Sequence, residues 1–222
     1  MLQRLEREDT FMHKGLRKRL IDELREKEIK DENVLDAMNR IPRHFFLDPA
    51  FERIAYEDRA FPIAAGQTIS QPYTVAYQTQ FLQVQKFDKI LEIGTGSAYQ
   101  ACVLAELGAW VYTIERQRKL FEHNNNFFFL KKYSRLKRFY GDGFEGLPSY
   151  APFDKVIITA AAPFVPPKLI AQLKVGGIMV IPVDNEDGSM QQMKRIVKTA
   201  EGYEEQVLDN FSFVPMLGGR ER

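Results

Sequence analysis

Cysteine is nearly absent: Cys102 is the only one in 222 residues, so no internal disulfide can form. A chain without that staple is expected in a reducing compartment, the cytoplasm. Cys102 lies in the apolar stretch AYQACVLAEL (98–107), the setting of a buried helix residue and not of a nucleophile. Charge of one sign is missing as well. Thirty-one basic residues face 30 acidic ones, a net charge of +1. That balance lacks the basic excess of a protein that tracks nucleic-acid backbones, so no nucleic-acid partner is expected. The one basic cluster, KKYSRLKR (131–138), reads as a solvated helix end and loop. Long hydrophobic runs do not occur. MLQRLERED at the start is charged throughout, and VGGIMVIPV (175–183) is too short to cross a bilayer, so no membrane is expected. The three histidines have no metal-ligand spacing: His13 and His123 lie in polar helical surroundings and His44, in PRHFF, reads as packed. No metal is expected, and no nucleophile-elbow motif occurs.

Alternation is what the chain does have. Residues 14–30 carry Leu16, Leu20, Ile21 and Leu24 at helical spacing, and ENVLDAMNRI (32–41) forms a second short helix. Residues 56–70 read as extended chain with turns. PYTVAYQTQFLQV (72–84) reads as a helix with Pro72 in its first turn and Ser70 near the cap. Then come strand KILEIG (89–94), helix SAYQACVLAELG (97–108), strand WVYTIE (110–115), helix QRKLFEHNNNFFFLKK (117–132) and strand LKRFYGD (136–142). They are followed by strand FDKVIITAA (153–161), helix PPKLIAQLKVGG (166–177), and strands GIMVIPV (177–183), MKRIVKTA (193–200) and EQVLDNFSFVPM (205–216). Buried, β-branched strands alternating with helices predict an α/β fold: a Rossmann-like, doubly wound, mostly parallel sheet. The last strands have no long helices between them, which predicts an antiparallel end. We read 1–222 as a single domain, with 1–60 a helical cap on a cofactor-binding core of 61–222.

LEIGTGSAYQ (91–100) ends a strand and opens a helix, the context in which a glycine-rich turn binds a nucleotide. Gly94 and Gly96 allow a tight turn and a close approach of backbone to ligand. A dinucleotide site needs a small third residue at position 99, and Tyr99 disfavours it. Glu92 before a G-x-G core instead resembles the fingerprint of S-adenosylmethionine-dependent methyltransferases. Glu115 closes the next strand, where a carboxylate can accept both hydroxyls of an adenosine ribose. Asp142, in the turn GDG (141–143), is placed to bond an adenine amino group or a turn amide.

Along nearly its whole length the chain is similar to the protein-L-isoaspartate O-methyltransferase family. The resemblance is carried by IKDENVLDAMNRIPRHFF (29–46), YEDRAFPIAAGQTISQPYTVA (56–76), ILEIGTGSAYQ (90–100), the GDG turn, APFDKVIITAAAP (151–163), LKVGGIMVIPV (173–183) and FVPM (213–216). It implies S-adenosylmethionine as cofactor and isoaspartyl peptides and proteins as substrates; a monomer is expected. By the same resemblance Ser70 is the active-site serine, with Ile69 and Gln71 beside it at the substrate. Cofactor contacts are implied for Glu92, Gly94, Thr95, Gly96, Ser97, Glu115, Asp142 and Gly143. Two departures stand out: Ala98 replaces the third glycine of the family's turn, and Ala64-Ala65 stand where a glycine follows Ile63. Alanine resists positive φ, so a turn that requires it there would shift or bind less tightly. Two other readings remain open from the residues: a methyltransferase of RNA or small molecules, and a cofactor-binding protein without turnover.

Overall fold

Thr10 decides where the first helix begins. The computed structural model describes residues 7–185 and 190–221. In it the Thr10 hydroxyl accepts the His13 N–H at 3.4 Å while His13 Nδ1 accepts the Thr10 N–H at 3.3 Å. This reciprocal cap starts α1 (Phe11–Glu26) three residues before the expected stretch. Beyond its end, Glu28 has φ +70°, which the helix cannot continue through. The buried stripe of α1 is His13, Arg17, Leu20, Ile21 and Leu24. His13 thus departs from the polar surroundings expected of it. It is 2% exposed and stacks on the equally buried His44 at 3.8 Å, because the stripe's first members face inward whatever their polarity.

Asp9, His13 and His44 bring possible ligand atoms within 4.8 Å of one another, a grouping invisible in their spacing. Arg17 clasps Asp9 through two bonds of 3.0 Å, and the two imidazoles lie within 20° of parallel, so their lone pairs do not converge. The cluster ties the start of the chain to the 3-10 turns Arg43–Phe46 and Pro49–Ile54, with the Tyr56 hydroxyl 2.7 Å from His44 Nδ1. α2 (Glu32–Asn39), capped by Asp31, completes the helical extension.

A small hairpin of β1 (Phe61–Pro62) and β2 (Thr68–Ile69) leads into α3 (Pro72–Leu82). Pro72 fills the first helical position as expected. Gln71, and not Ser70, occupies the cap position, and it makes no side-chain cap bond.

The core strands follow as β3 (Lys89–Ile93), β4 (Trp110–Glu115), β5 (Leu136–Tyr140), β6 (Phe153–Ile158), β7 (Leu173–Asp184), β8 (Gln191–Lys198) and β9 (Tyr203–Phe211). Between them lie α4 (Tyr99–Glu106), α5 (Arg118–Asn126) and α6 (Pro167–Gln172). The sheet order is β5-β4-β3-β6-β7-β8-β9, parallel as far as β7 and antiparallel beyond it. Both the parallel body and the antiparallel end agree with the alternation in the sequence. Alternate residues face opposite ways: Ile90, Val111 and Ile157 pack with α1–α4, whereas Leu91, Tyr112 and Val156 pack on the side of α6. The chain leaves β3 towards β4 and later returns on its other side as β6. A crevice therefore opens at the carboxyl ends of these strands, the place where open α/β sheets bind ligands.

Two helices, α5 and α6, fall well short of their expected ranges. α5 stops at Asn126 and passes into the 3-10 turn Phe128–Lys132. α6 stops at Gln172, and LKVGG belongs to β7. Phe153 pairs with Leu173 but Lys155 with Ile178, so three extra residues bulge out of the ladder, and Gly176 (φ +79°) turns there. The two glycines mark that bulge and not a helix stop. No helix among the described residues is long and apolar enough to cross a membrane.

Candidate functional site

The turn after β3 is built almost wholly from backbone. Gly94 and Thr95 donate their N–H groups to the Ile114 carbonyl at 3.0 and 3.1 Å, folding the turn over the end of β4. Gly94 (φ +94°) and Gly96 (φ +51°) occupy conformations that favour glycine. A Cβ on Gly94 would stand 2.7 Å from Thr159 Oγ1, which itself donates to the carbonyls of Ile93 and Gly94 at 3.0 and 2.8 Å. Asn124 braces the turn from α5 by donating Nδ2 to the Gly96 carbonyl at 2.9 Å. One of the three asparagines that weaken the helical pattern of 117–132 is thus fixed by the turn it supports.

Glu115 stands at the end of β4, 4% exposed, and lines the cleft that opens over the turn. Its Oε2 accepts the Gly96 N–H at 2.8 Å and its Oε1 the Gln117 N–H at 2.8 Å. Burial pushes its carboxyl above the usual range, and these amides pull it part of the way back. Each oxygen has two lone pairs and the amides use one on each, so the carboxylate can still accept two hydroxyls.

The hairpin forms the facing wall. Ile69 and Ser70 line the same cleft as Gly94, Thr95, Gly96 and Ser97. The Ser70 carbonyl is held from behind by Arg43 Nη2 at 2.8 Å. Residues 214–217 close the third side, pinned by Ala161 N–H to the Val214 carbonyl at 2.8 Å and Met216 N–H to the Ala161 carbonyl at 2.6 Å. Gly143 also lines the cleft, and a Cβ there would collide with Ile93 Cγ2. Thr159, Asn124, Arg43 and residues 214–217 belong to the site without having been singled out; Arg43, Thr159 and residues 214–216 lie in segments that carry the resemblance, but Asn124 does not.

Three candidates lie elsewhere. Glu92 is fully buried beneath the turn and does not line the cleft. Neither of its oxygens has a hydrogen-bond partner, and burial, reinforced by the Glu115 charge, pushes its carboxyl up to about 8. The Thr113 hydroxyl tempers that shift but is itself bonded to Thr95 Oγ1 at 2.6 Å. Asp142 does not line the cleft either; its oxygens accept the Phe144 N–H at 2.9 Å and the Gly219 N–H at 2.6 Å, the turn-amide bonds that were one of its two expected roles. Gln71 caps α3 and donates to Asp58 Oδ2 at 3.1 Å, outside the cleft.

Both alanine departures sit where glycine would be easier. Ala98 has φ +67° with no exposed surface, and Ala65 has φ +58° at the hairpin tip. A left-handed alanine costs about 1–2 kcal/mol, and glycine returns part of its gain through the greater freedom of the unfolded chain. Ala65→Gly and Ala98→Gly should therefore each raise stability by up to about 1 kcal/mol, read from urea unfolding midpoints. A destabilised variant at either position would show that the methyl group's packing outweighs its backbone strain.

Known proteins resemble this chain along nearly its whole length. The profile of the Protein-L-isoaspartate(D-aspartate) O-methyltransferase (PCMT) family matches residues 15–221. Protein-L-isoaspartate O-methyltransferase of Flavobacterium johnsoniae is 52% identical over 209 residues, covering 94% of this chain and 97% of the relative. Its counterpart in Cytophaga hutchinsonii is 51% identical, with 95% of each chain covered. Among solved structures, a protein-L-isoaspartate O-methyltransferase superposes with a TM-score of 0.82 at 25% identity, covering 91% of this chain and 66% of that one. A structure from Plasmodium falciparum, in complex with S-adenosyl-L-homocysteine, superposes with a TM-score of 0.78 at 22% identity over 92% of this chain and 98% of its own, and shares the fold. A family profile matched over residues 15–221 and relatives about half identical along nearly the whole chain place it plainly: the chain belongs to the protein-L-isoaspartate(D-aspartate) O-methyltransferase family.

Proposed function

We propose that this protein is an S-adenosylmethionine-dependent enzyme that methylates the free α-carboxylate of L-isoaspartyl residues in damaged proteins and so starts their repair. The observation that carries this reading is that the glycine turn of 94–97 and the Ser70 hairpin face one another across a single cleft. The residues present fit the cofactor. Glu115 has acceptor capacity for a ribose diol, and the side-chain-free Gly94 and Gly96 leave backbone as the wall. When bound, the cofactor supplies a methyl group activated on a sulfonium.

The rest of the work falls to the chain's own residues. An isoaspartyl residue presents an α-carboxylate with an ordinary pKa of roughly 3.5, ionised at neutral pH, so its oxygen needs no general base. Ser70 and the amides beside it orient that carboxylate, while Ile69 and residues 214–217 exclude water. The resulting methyl ester has a better leaving group than the free acid. The neighbouring backbone nitrogen closes a succinimide, which reopens in part to normal aspartate. The proposal also takes the protein to act as a cytoplasmic monomer on polypeptides and not on nucleic acid or membranes; the net charge of +1 supports the choice of polypeptide.

Methyl transfer to a peptide containing L-isoaspartate, against the same peptide with L-aspartate, tests the reading. The isoaspartyl peptide should be labelled and the normal one ignored, because a carboxylate displaced by one methylene leaves buried polar groups unpaired. Ser70→Ala should lower turnover by somewhat less than the roughly hundredfold typical of losing a donor to a reacting group, since neighbouring amides remain and the carboxylate loses charge on methylation. Cofactor affinity should be unchanged. Equal labelling of the two peptides would overturn the substrate assignment, and an unimpaired Ser70→Ala variant would reduce the hairpin to a turn.

A further inference from the structure

Arg43 is fully buried, yet no carboxylate among the described residues lies within ion-pair reach of it. Its Nε donates to the Ala55 carbonyl at 3.1 Å, and its Nη2 to the carbonyls of Ser70 at 2.8 Å and Arg59 at 3.5 Å. Nη1 has no partner. The guanidinium lies 4.9 Å from the centre of the Tyr99 ring, and Tyr99 and Ser70 both line the cleft. The cation therefore stands directly behind the cleft wall. Arg17, the other buried arginine among the described residues, shows what ordinary compensation looks like: Asp9 neutralises it through a two-pronged ion pair. The acid whose charge Arg43 feels, Asp58, is already committed to Lys27 at 2.8 Å and to the amides of Tyr73 and Gln71. A buried, unpaired cation is costly, and carbonyls alone do not neutralise it.

We infer that Arg43 is a positioning residue for the substrate: it fixes the Ser70 backbone and sets a positive potential behind the cleft whose counter-charge is the bound carboxylate. This rests on the isoaspartyl reading above. Its sign has kinetic consequences. The positive charge favours the ionised carboxylate of the bound substrate, and that benefit fades as the oxygen is methylated and becomes neutral. Arg43 thus acts on substrate binding more than on the chemical step. The same charge opposes a sulfonium in the cleft but is indifferent to the neutral thioether of S-adenosylhomocysteine.

Arg43→Gln and Arg43→Lys, assayed with varied isoaspartyl peptide at saturating cofactor, separate the clasp from the charge. Arg43→Gln should raise the peptide KM on the order of tenfold, with kcat within about threefold of wild type. Calorimetry should show its affinity ratio shifted severalfold, by about two to five times, in favour of S-adenosylmethionine over S-adenosylhomocysteine. Arg43→Lys keeps the charge, so it should hold the wild-type ratio and recover part of the KM. An unchanged KM in a folded Arg43→Gln variant overturns the inference. So do equal KM losses in both variants with an unmoved cofactor ratio, which would leave only a structural clasp. Loss of folding in both overturns it in favour of a core role. Wild-type protein that binds both cofactor forms but ignores the isoaspartyl peptide would sink the substrate reading instead.

Discussion

Glu115→Ala should weaken S-adenosylhomocysteine binding by roughly ten- to a hundredfold, the equivalent of about 1.5–3 kcal/mol for a lost charge-assisted hydrogen bond. The carboxylate receives the Gly96 and Gln117 amides that shape the turn, and on the proposed reading its unused lone pairs also take the ribose; the variant loses both. Glu115→Gln separates these tasks, because its one carbonyl oxygen keeps an acceptor while its NH2 cannot take a second amide. Calorimetry on both variants should show Glu115→Gln bound less tightly than wild type but more tightly than Glu115→Ala. At saturating cofactor the peptide KM should change little. Cofactor affinity that survives Glu115→Ala, alongside a lowered unfolding midpoint, would make Glu115 a brace for the turn and nothing more.

The central sheet and the cleft's main walls could be read from the sequence because each rests on local chemistry. WVYTIE forms β4 over the same six residues expected, since an unbroken β-branched and aromatic run between a glycine-ended helix and a charged stretch has no competing reading. That Gly94, Gly96 and Glu115 line one cleft follows from equally local features, a glycine turn after one strand and a carboxylate at the end of the next. What failed to show was long-range. The two glycines at 176–177 signal a helix stop and a strand bulge equally well, and only pairing with β6 decides between them. Asp142 is captured by the Gly219 amide, 77 positions along the chain. The burial of Arg43 follows from the 3-10 turn that packs it behind Ser70, a contact made 27 positions along the chain. The motif that makes Glu92 an expected cofactor contact carries no information on how deep the residue sits. One residue before the last of β3 lies under the turn, whereas the last residue of β4 reaches the cleft.

That depth makes Glu92 the group with the largest expected effect on stability. A carboxyl held near 8 in the folded protein and near its ordinary 4.5 when unfolded keeps its proton in the fold after the unfolded chain has lost it. Its contribution is therefore fully present below about pH 4.5, falls as pH rises towards about 8, and levels off above that. Over this window, at about 1.4 kcal/mol per decade, the loss is on the order of 4 kcal/mol. Glu92→Gln, neutral at every pH and nearly the same shape, removes that slope. Its stability relative to wild type should climb steadily between pH 5 and pH 8 by several kcal/mol, roughly 3–5, measured by urea unfolding across the range. A constant offset from desolvating the amide is expected and does not matter, since the slope alone reports the buried proton. The carboxylates held below their usual range, Asp9 and Asp154 among them, act at more acid pH and cancel between the two proteins. S-adenosylhomocysteine affinity at pH 5.5 should be nearly the same in both, because Glu92 lies beneath the turn and not in the cleft. Parallel stability curves would place an ionised Glu92 in the folded protein, and a large loss of affinity in Glu92→Gln would return it to the cofactor contacts that its motif implies.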